Sequence, residues 1–308
     1  MRPLLNPGRR HFQQALLRGA GAAALGLAAG PLRAQTPAPR IVSVGGALTE
    51  TVYALGAEGL LVGADTTSLY PAAATRLPSV GYARALSAEG VLSLRPTRLL
   101  TGPEAGPPVV MRQLAAAGLD ILQLDTDHRF EGLLQRTRQI GQTLGREAPA
   151  QALVATLQQQ WTQTQAQVQQ AQAARRGQPA PRVLFVLSHA LNQVRVAGRD
   201  TAAHAMLGYA GLHNVMGEFS GYKPLTPEAV IAAAPDLVLV TDQGLATAGG
   251  VAGVLKAPGL AATPAGRQQR VLAMEALWLL GFGPRLPQAV GHLAQLCHGA
   301  MALSAPRA

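Results

Sequence analysis

The chain has 308 residues, of which 48% are apolar and only 14% charged; this excludes a disordered chain and leaves material for one large core or two ordinary ones. Half of its formal net charge of +10 comes from Arg2, Arg9, Arg10, Arg18 and Arg33, so a chain beginning at Gln35 would carry +5. There is no lysine-rich run and no interleaving of aromatic with basic residues, which argues against nucleic-acid binding.

Residues 1–34 read as an export leader. Arg9-Arg10-His11-Phe12 opens a basic region, Gly19 to Gly30 is a weakly apolar run of Gly, Ala and Leu, and Ala34 is a small residue at the expected cleavage point. That run is shorter than the roughly 20 apolar residues a bilayer span needs. The paired arginines favour the twin-arginine route, although Gly8 stands where a serine is preferred. No cysteine lies near Ala34 to carry a lipid. The single cysteine, Cys297, cannot form an intramolecular disulfide and reads as a small buried apolar residue. A soluble periplasmic protein is expected.

Arg40 to Val44 reads as a buried strand ending in Gly45-Gly46, and Thr49 to Leu55 as the start of a helix. A short strand follows at Leu60 to Ala64. The polar loop Asp65 to Pro78 leads to Val80-Gly81-Tyr82. Ser87 is a plausible N-cap for a helix over Ala88 to Leu94. Further strands are expected at Thr97 to Thr101 and Asp120 to Leu124, with helices over Pro107 to Ala117 and Phe130 to Leu144. Strands alternating with helices predict a parallel sheet covered on both faces.

From Ala148 to Ala174 there is no glycine and one proline, Pro149 at the very start, and Ala, Gln and Leu dominate. These are good helix formers. Leu153, Leu157, Trp161 and Val168 recur at near-helical spacing, so one long helix is expected, about 40 Å at ~1.5 Å per residue. The second half then restarts as the first did. Strands are expected at Arg182 to Leu187, Gln193 to Ala197, Leu237 to Thr241 and Arg270 to Met274. Helices are expected at Thr201 to Ala210, Pro227 to Ala233 and Arg285 to Leu296, and Gly221-Tyr222 reads as a loop. The fold class is α/β: two Rossmann-like lobes, residues 40–146 and 180–304, joined by one helix over residues 147–176. A single rigid connection would restrict hinge opening to a small angle.

Enzyme templates are missing from the sequence. There is no P-loop, no G-x-S-x-G elbow and no paired-histidine zinc spacing, and Gly45-Gly46 lacks the third glycine of a dinucleotide fingerprint. More informative is a partial repeat. Gly81-Tyr82-Ala83-Arg84-Ala85-Leu86-Ser87-Ala88-Glu89 leads to Pro96 and a strand; Gly221-Tyr222-Lys223-Pro224-Leu225-Thr226-Pro227-Glu228 leads to Pro235 and a strand. Each glutamate stands seven residues before its proline. In open α/β sheets, loops at the carboxyl ends of strands bind ligands. In extended backbone Arg84 would point the same way as Tyr82. A fixed positive charge favours phenolate over phenol, and tyrosine is a known axial ligand of haem iron. The plain alternative is a packing aromatic and a surface charge.

The runs Gly45-Gly46-Ala47-Leu48-Thr49-Glu50, Asp65-Thr66-Thr67-Ser68-Leu69-Tyr70-Pro71 and Leu77 to Leu92 closely resemble the periplasmic haem-binding proteins of bacterial haem-uptake ABC transporters. Gly106-Pro107-Pro108, Val196-Ala197-Gly198 and Gly221-Tyr222-Lys223-Pro224 fit as well. The resemblance implies a ligand cleft between the lobes, with haem as the transported ligand and Tyr82 as its axial ligand, partnered by Arg84. It makes His189 the candidate for a second haem, Tyr222 a residue lining the cleft, and Lys223, Arg195 and Arg199 candidates for the propionates. It implies that Glu89 and Glu228 dock a permease dimer with its ATPase, and that the protein is a monomer, with an outer-membrane haem receptor upstream. A ferric-siderophore or corrinoid carrier of the same fold is the alternative ligand class, and an exported haem-handling enzyme the alternative from another class.

Overall fold

Two sheets lie on either side of one long helix. The structure, a computed structural model, describes residues 38–175, 177–188 and 194–302. The leader expected at residues 1–34 and the second-haem candidate His189 lie outside the described residues.

In the first lobe β1 (Ile41–Val44), α1 (Gly46–Ala54), β2 (Leu61–Ala64), α2 (Ala88–Ser93), β3 (Arg98–Thr101), α3 (Pro108–Ala116), β4 (Asp120–Gln123) and α4 (Phe130–Thr143) follow one another. The strands pair in the order β2-β1-β3-β4, all parallel. Alternation along each strand explains its apolar run. Ile41 and Leu100 join a cluster with Leu48, Val52 and Ile140 on one face; Val42, Val44 and Leu99 join Val91 and Leu114 on the other. α1 begins three residues earlier than expected, at Gly46. There Gly45 adopts φ 122° and its amide donates to Asp65 Oδ1 at 2.9 Å, a conformation glycine adopts without steric cost.

α5 (Glu147–Ala173) is the expected long helix, 27 residues in one piece. It packs on α4 of the first lobe and on the last helix of the second.

The second lobe comprises β5 (Arg182–Ser188), β6 (Val194–Ala197), α6 (Ala202–Tyr209), β7 (His213–Asn214), β8 (Tyr222–Pro224), α7 (Pro227–Ala233), β9 (Leu237–Thr241), α8 (Asp242–Ala248), α9 (Val251–Val254), α10 (Pro264–Arg267), β10 (Val271–Met274), α11 (Ala276–Leu280) and α12 (Leu286–Ala302). Its strand order is β10-β9-β5-β6-β8, with β7 beside the start of β5. Val183, Phe185, Leu237 and Leu239 face one apolar cluster, and Leu184, Val186, Val238 and Val240 the other.

This lobe departs from the expected repeat of the first. β6 runs antiparallel to β5, and β8 antiparallel to β6. The reason lies in connection length: the five residues between β5 and β6 cannot contain a crossover, which takes about a dozen. Gly221-Tyr222, expected as a loop, leads into an edge strand, Tyr222–Pro224. Proline is tolerated at an edge because no ladder donor is needed there.

Candidate functional site

Tyr82 stands on a segment fastened at both ends. Upstream, Val80 N donates to Ala64 O and Ala64 N to Pro78 O, both at 3.0 Å, which tacks the chain to the carboxyl end of β2. Gly81 turns it at φ 89°, and Thr66 N donates to Gly81 O at 2.9 Å. Downstream, Gly106 N donates to Ala83 O and Leu86 N to Gly106 O, at 2.9 and 2.8 Å. Val80, Ala83 and Leu86 are buried in the first-lobe core. Tyr82 and Arg84 are left outside it, Tyr82 at 47% exposure.

The backbone after Tyr82 is not extended. Ala83–Ala85 is a 3-10 turn with Tyr82 as its N-cap, so the alternation that would align Arg84 with Tyr82 does not operate. Arg84 instead acts across the cleft. Burial raises the Tyr222 phenol above its ordinary pKa, and the Arg84 guanidinium opposes that rise. The first-lobe arginine is therefore within electrostatic reach of the second-lobe tyrosine.

In β8, Tyr222 and Lys223 point to opposite faces. Tyr222 is half-buried against the large core cluster, whereas Lys223 is exposed with Nζ 4.8 Å from the Phe219 ring centroid. Arg195 is exposed and donates from Nη2 to Tyr222 O at 2.5 Å; Arg199 reaches Glu218 O at 3.4 Å. Lys223, Arg195 and Arg199 are exposed cations on or beside the edge hairpin.

The two glutamates occupy matching places. Ser87 Oγ accepts from Gly90 N at 3.2 Å, capping α2, and Glu89 follows in the first turn. Thr226 Oγ1 accepts from Ala229 N at 3.4 Å, capping α7, and Glu228 follows in the same way. Both glutamates are exposed.

The structure adds an ion pair between the lobes that sequence reasoning did not assemble. Glu50 of α1, only 4% exposed, accepts from Arg285 N and Nε at 3.1 Å and from Nη2 at 3.0 Å. Burial raises the Glu50 carboxyl above its ordinary value, and the Arg285 charge and hydrogen bonds pull it back. The same guanidinium lies 3.6 Å from the Tyr70 ring centroid. Beside it Leu277 packs against Gly46, where any side chain would collide with Thr67 O and Leu277. Asp65 holds the loop carrying Leu69 and Tyr70: it accepts from Thr67 Oγ1 at 2.7 Å and Ser68 Oγ at 2.9 Å. Leu69 and Tyr70 remain 52% and 43% exposed. Glu50 and Tyr70 lie within the motifs quoted above, but their partner Arg285 is 235 residues from Glu50, and no local pattern signals that pairing.

Two cavities, about 270 and 400 Å³, lie elsewhere: one beside His204 and Asn214, the other between α5 and α12. Tyr82 lines neither. Among the described residues no group of three His, Cys, Asp or Glu is arranged to hold a metal ion. The residues described offer the phenols of Tyr82, Tyr70 and Tyr222, exposed cations and the exposed aliphatic side chain of Leu69. That set suits a flat, largely apolar, anionic ligand.

The chain is 48% identical to the periplasmic heme-binding protein BhuT, solved in complex with two hemes; the match covers 85% of this chain and 99% of that one, with a TM-score of 0.80. It is 40% identical to the periplasmic heme-binding protein RhuT from Roseiflexus sp. RS-1, with the same coverage and TM-score. The ABC transporter substrate-binding lipoprotein YvrC of Bacillus subtilis (strain 168) is 26% identical over 83% of this chain and 79% of its own length. The model of the periplasmic binding protein family matches residues 41–276. The chain belongs to the periplasmic binding protein family.

Proposed function

We propose that this protein binds haem in the cleft between its lobes and hands it to an inner-membrane ABC importer, performing no catalysis itself. The observation that carries the reading is the 48% identity, across 99% of its length, to a protein solved with two hemes. The relatives are binding proteins rather than enzymes, and their names put them outside the cytoplasm. In this reading residues 1–34 are the export leader, 40–146 and 180–304 the lobes, and 147–176 the link.

Tyr82 is the axial iron ligand, supported by its fixed turn and exposed ring. Arg84 stands on the same loop as its partner, and Tyr222 lines the facing wall from the second lobe. Lys223, Arg195 and Arg199 meet the propionates, since each is an exposed cation on the β6–β8 edge. His189 is the candidate ligand of a second haem. Glu89 and Glu228 engage basic pockets of a permease dimer served by an ATPase, with an outer-membrane receptor upstream and the carrier itself a monomer.

Ligand class is tested by titrating the purified protein with hemin and, in parallel, with cyanocobalamin and a ferric siderophore. Saturable binding of hemin alone, with a spectrum that stays intact when a reductant is added, is expected. Preferential corrinoid or siderophore binding would overturn the reading, and progressive bleaching of bound haem would point to an enzyme.

A further inference from the structure

Among the described residues five large apolar or aromatic side chains are exposed: Leu69, Tyr70, Tyr82, Val109 and Ile231. The first three belong to the cleft. The other two, Val109 and Ile231, are one in each lobe, at 50% and 48% exposure. Ile231 is three residues beyond Glu228 on α7, so the two share a helix face. Val109 is the second residue of α3, and Glu89 is the second residue of α2. These helices pack together, and their leading segments are tied by Leu86 N to Gly106 O at 2.8 Å and Gly106 N to Ala83 O at 2.9 Å. Each lobe therefore carries its exposed glutamate and an exposed aliphatic side chain either on one helix or on two helices packed together. Neither Glu89 nor Glu228 has an ion-pair partner among the described residues.

An exposed ion pair alone contributes only about 0–1 kcal/mol. Excluding water around it strengthens it, which is what an apolar rim does at an interface. We infer that Val109 and Ile231 are the apolar halves of two matched docking patches, each covering its glutamate's contact with the permease. The partner is a membrane-embedded dimer presenting two basic pockets rimmed by apolar side chains, one per lobe. Charge complementarity and symmetry select it: two exposed carboxylates, one at the same place in each lobe, match a partner that presents two equivalent cationic pockets. The inference rests on the docking reading above, and adds to it a component that charge alone does not supply.

The test measures binding of the haem-loaded protein to the haem permease–ATPase complex of the same cell, reconstituted in nanodiscs. Wild type is compared with Val109→Ser, Ile231→Ser, the double variant, and Glu89→Gln with Glu228→Gln. A hemin titration of each variant reports that it folds. The expected result is weaker binding of roughly tenfold for the double serine variant, a flatter dependence of affinity on salt for the glutamine pair, and unchanged hemin affinity throughout. If the serine variants bind like wild type while the glutamine pair is weakened, the apolar patches are refuted and the docking reading stands. Should the glutamine pair also bind like wild type, both fall. Self-association of the wild type that is lost in the serine variants would assign the patches to a second copy and overturn the proposal.

Discussion

Glu50 and Arg285 show how much one residue pair decides. A carboxylate 4% exposed is tolerable only because it receives three hydrogen bonds from a single arginine. Arg285→Ala would leave that charge buried and uncompensated and release the Tyr70 ring. A loss of about 3 kcal/mol is expected near neutral pH, from urea unfolding. The pH dependence has a definite sign. With its folded-state value raised above the unfolded one, Glu50 holds more protons folded than unfolded between the two values, so its contribution falls as pH rises through that window. Removing Arg285 raises the folded value further. The penalty in Arg285→Ala is therefore expected to shrink between about pH 7.5 and about pH 5; a penalty that grows on acidification would contradict this. The turn that carries Tyr82 was legible in the sequence because glycine, aromatic and hydroxyl cap follow in a short run. The proximity of Arg84 to Tyr222 was not, since it joins residues from two lobes.

Among the elements, α2 and α7 are the ones whose start signals could be read directly. Ser87 and Thr226 cap them through side-chain oxygens, and a glutamate stands in each first turn. Ser87→Ala is expected to cost about 1 kcal/mol by thermal or urea unfolding. It would leave hemin affinity unchanged, because the cap lies beyond the fastened Tyr82 turn. A clear loss of hemin affinity would mean that α2 itself orients the tyrosine. The long helix was equally legible, its 27 residues free of Gly, with Pro149 confined to the first turn and good formers dominating after it. β8 was not: three residues ending in proline carry no periodicity, and only pairing with Ala197, Val196 and Arg195 makes them a strand. The antiparallel turn of β6 was predictable in principle from the shortness of the connection before it. The repeated lobe pattern obscured it.

Across the whole molecule, one apolar cluster runs from Phe130 and Leu133 of α4 through Leu157 of α5 to Phe185, Met206 and Leu293 of the second lobe. Phe130 stacks on Trp161 at 4.5 Å between centroids, and Trp161 meets Tyr209 edge-on at 4.8 Å. Arg136, 3% exposed, donates to Phe282 O at 2.9 Å, and Phe130 N donates to Tyr209 OH at 3.2 Å. The lobes are joined by this shared core and these bonds as well as by the helix, and the residues beyond the leader cluster as one unit. Haem binding should accordingly leave the radius of gyration, about 18 Å for a compact chain of this size, without resolvable change in solution scattering. A large contraction would mean that the shared core opens.

The central claim is that the first lobe holds haem iron through Tyr82. It is tested most directly by hemin titration of wild type and Tyr82→Ala, followed in the Soret region. The account predicts saturation at a fixed stoichiometry for wild type. For the variant it predicts an altered Soret band and at least about tenfold weaker binding, or ~1.4 kcal/mol. The same spectrum and the same affinity in Tyr82→Ala would contradict it.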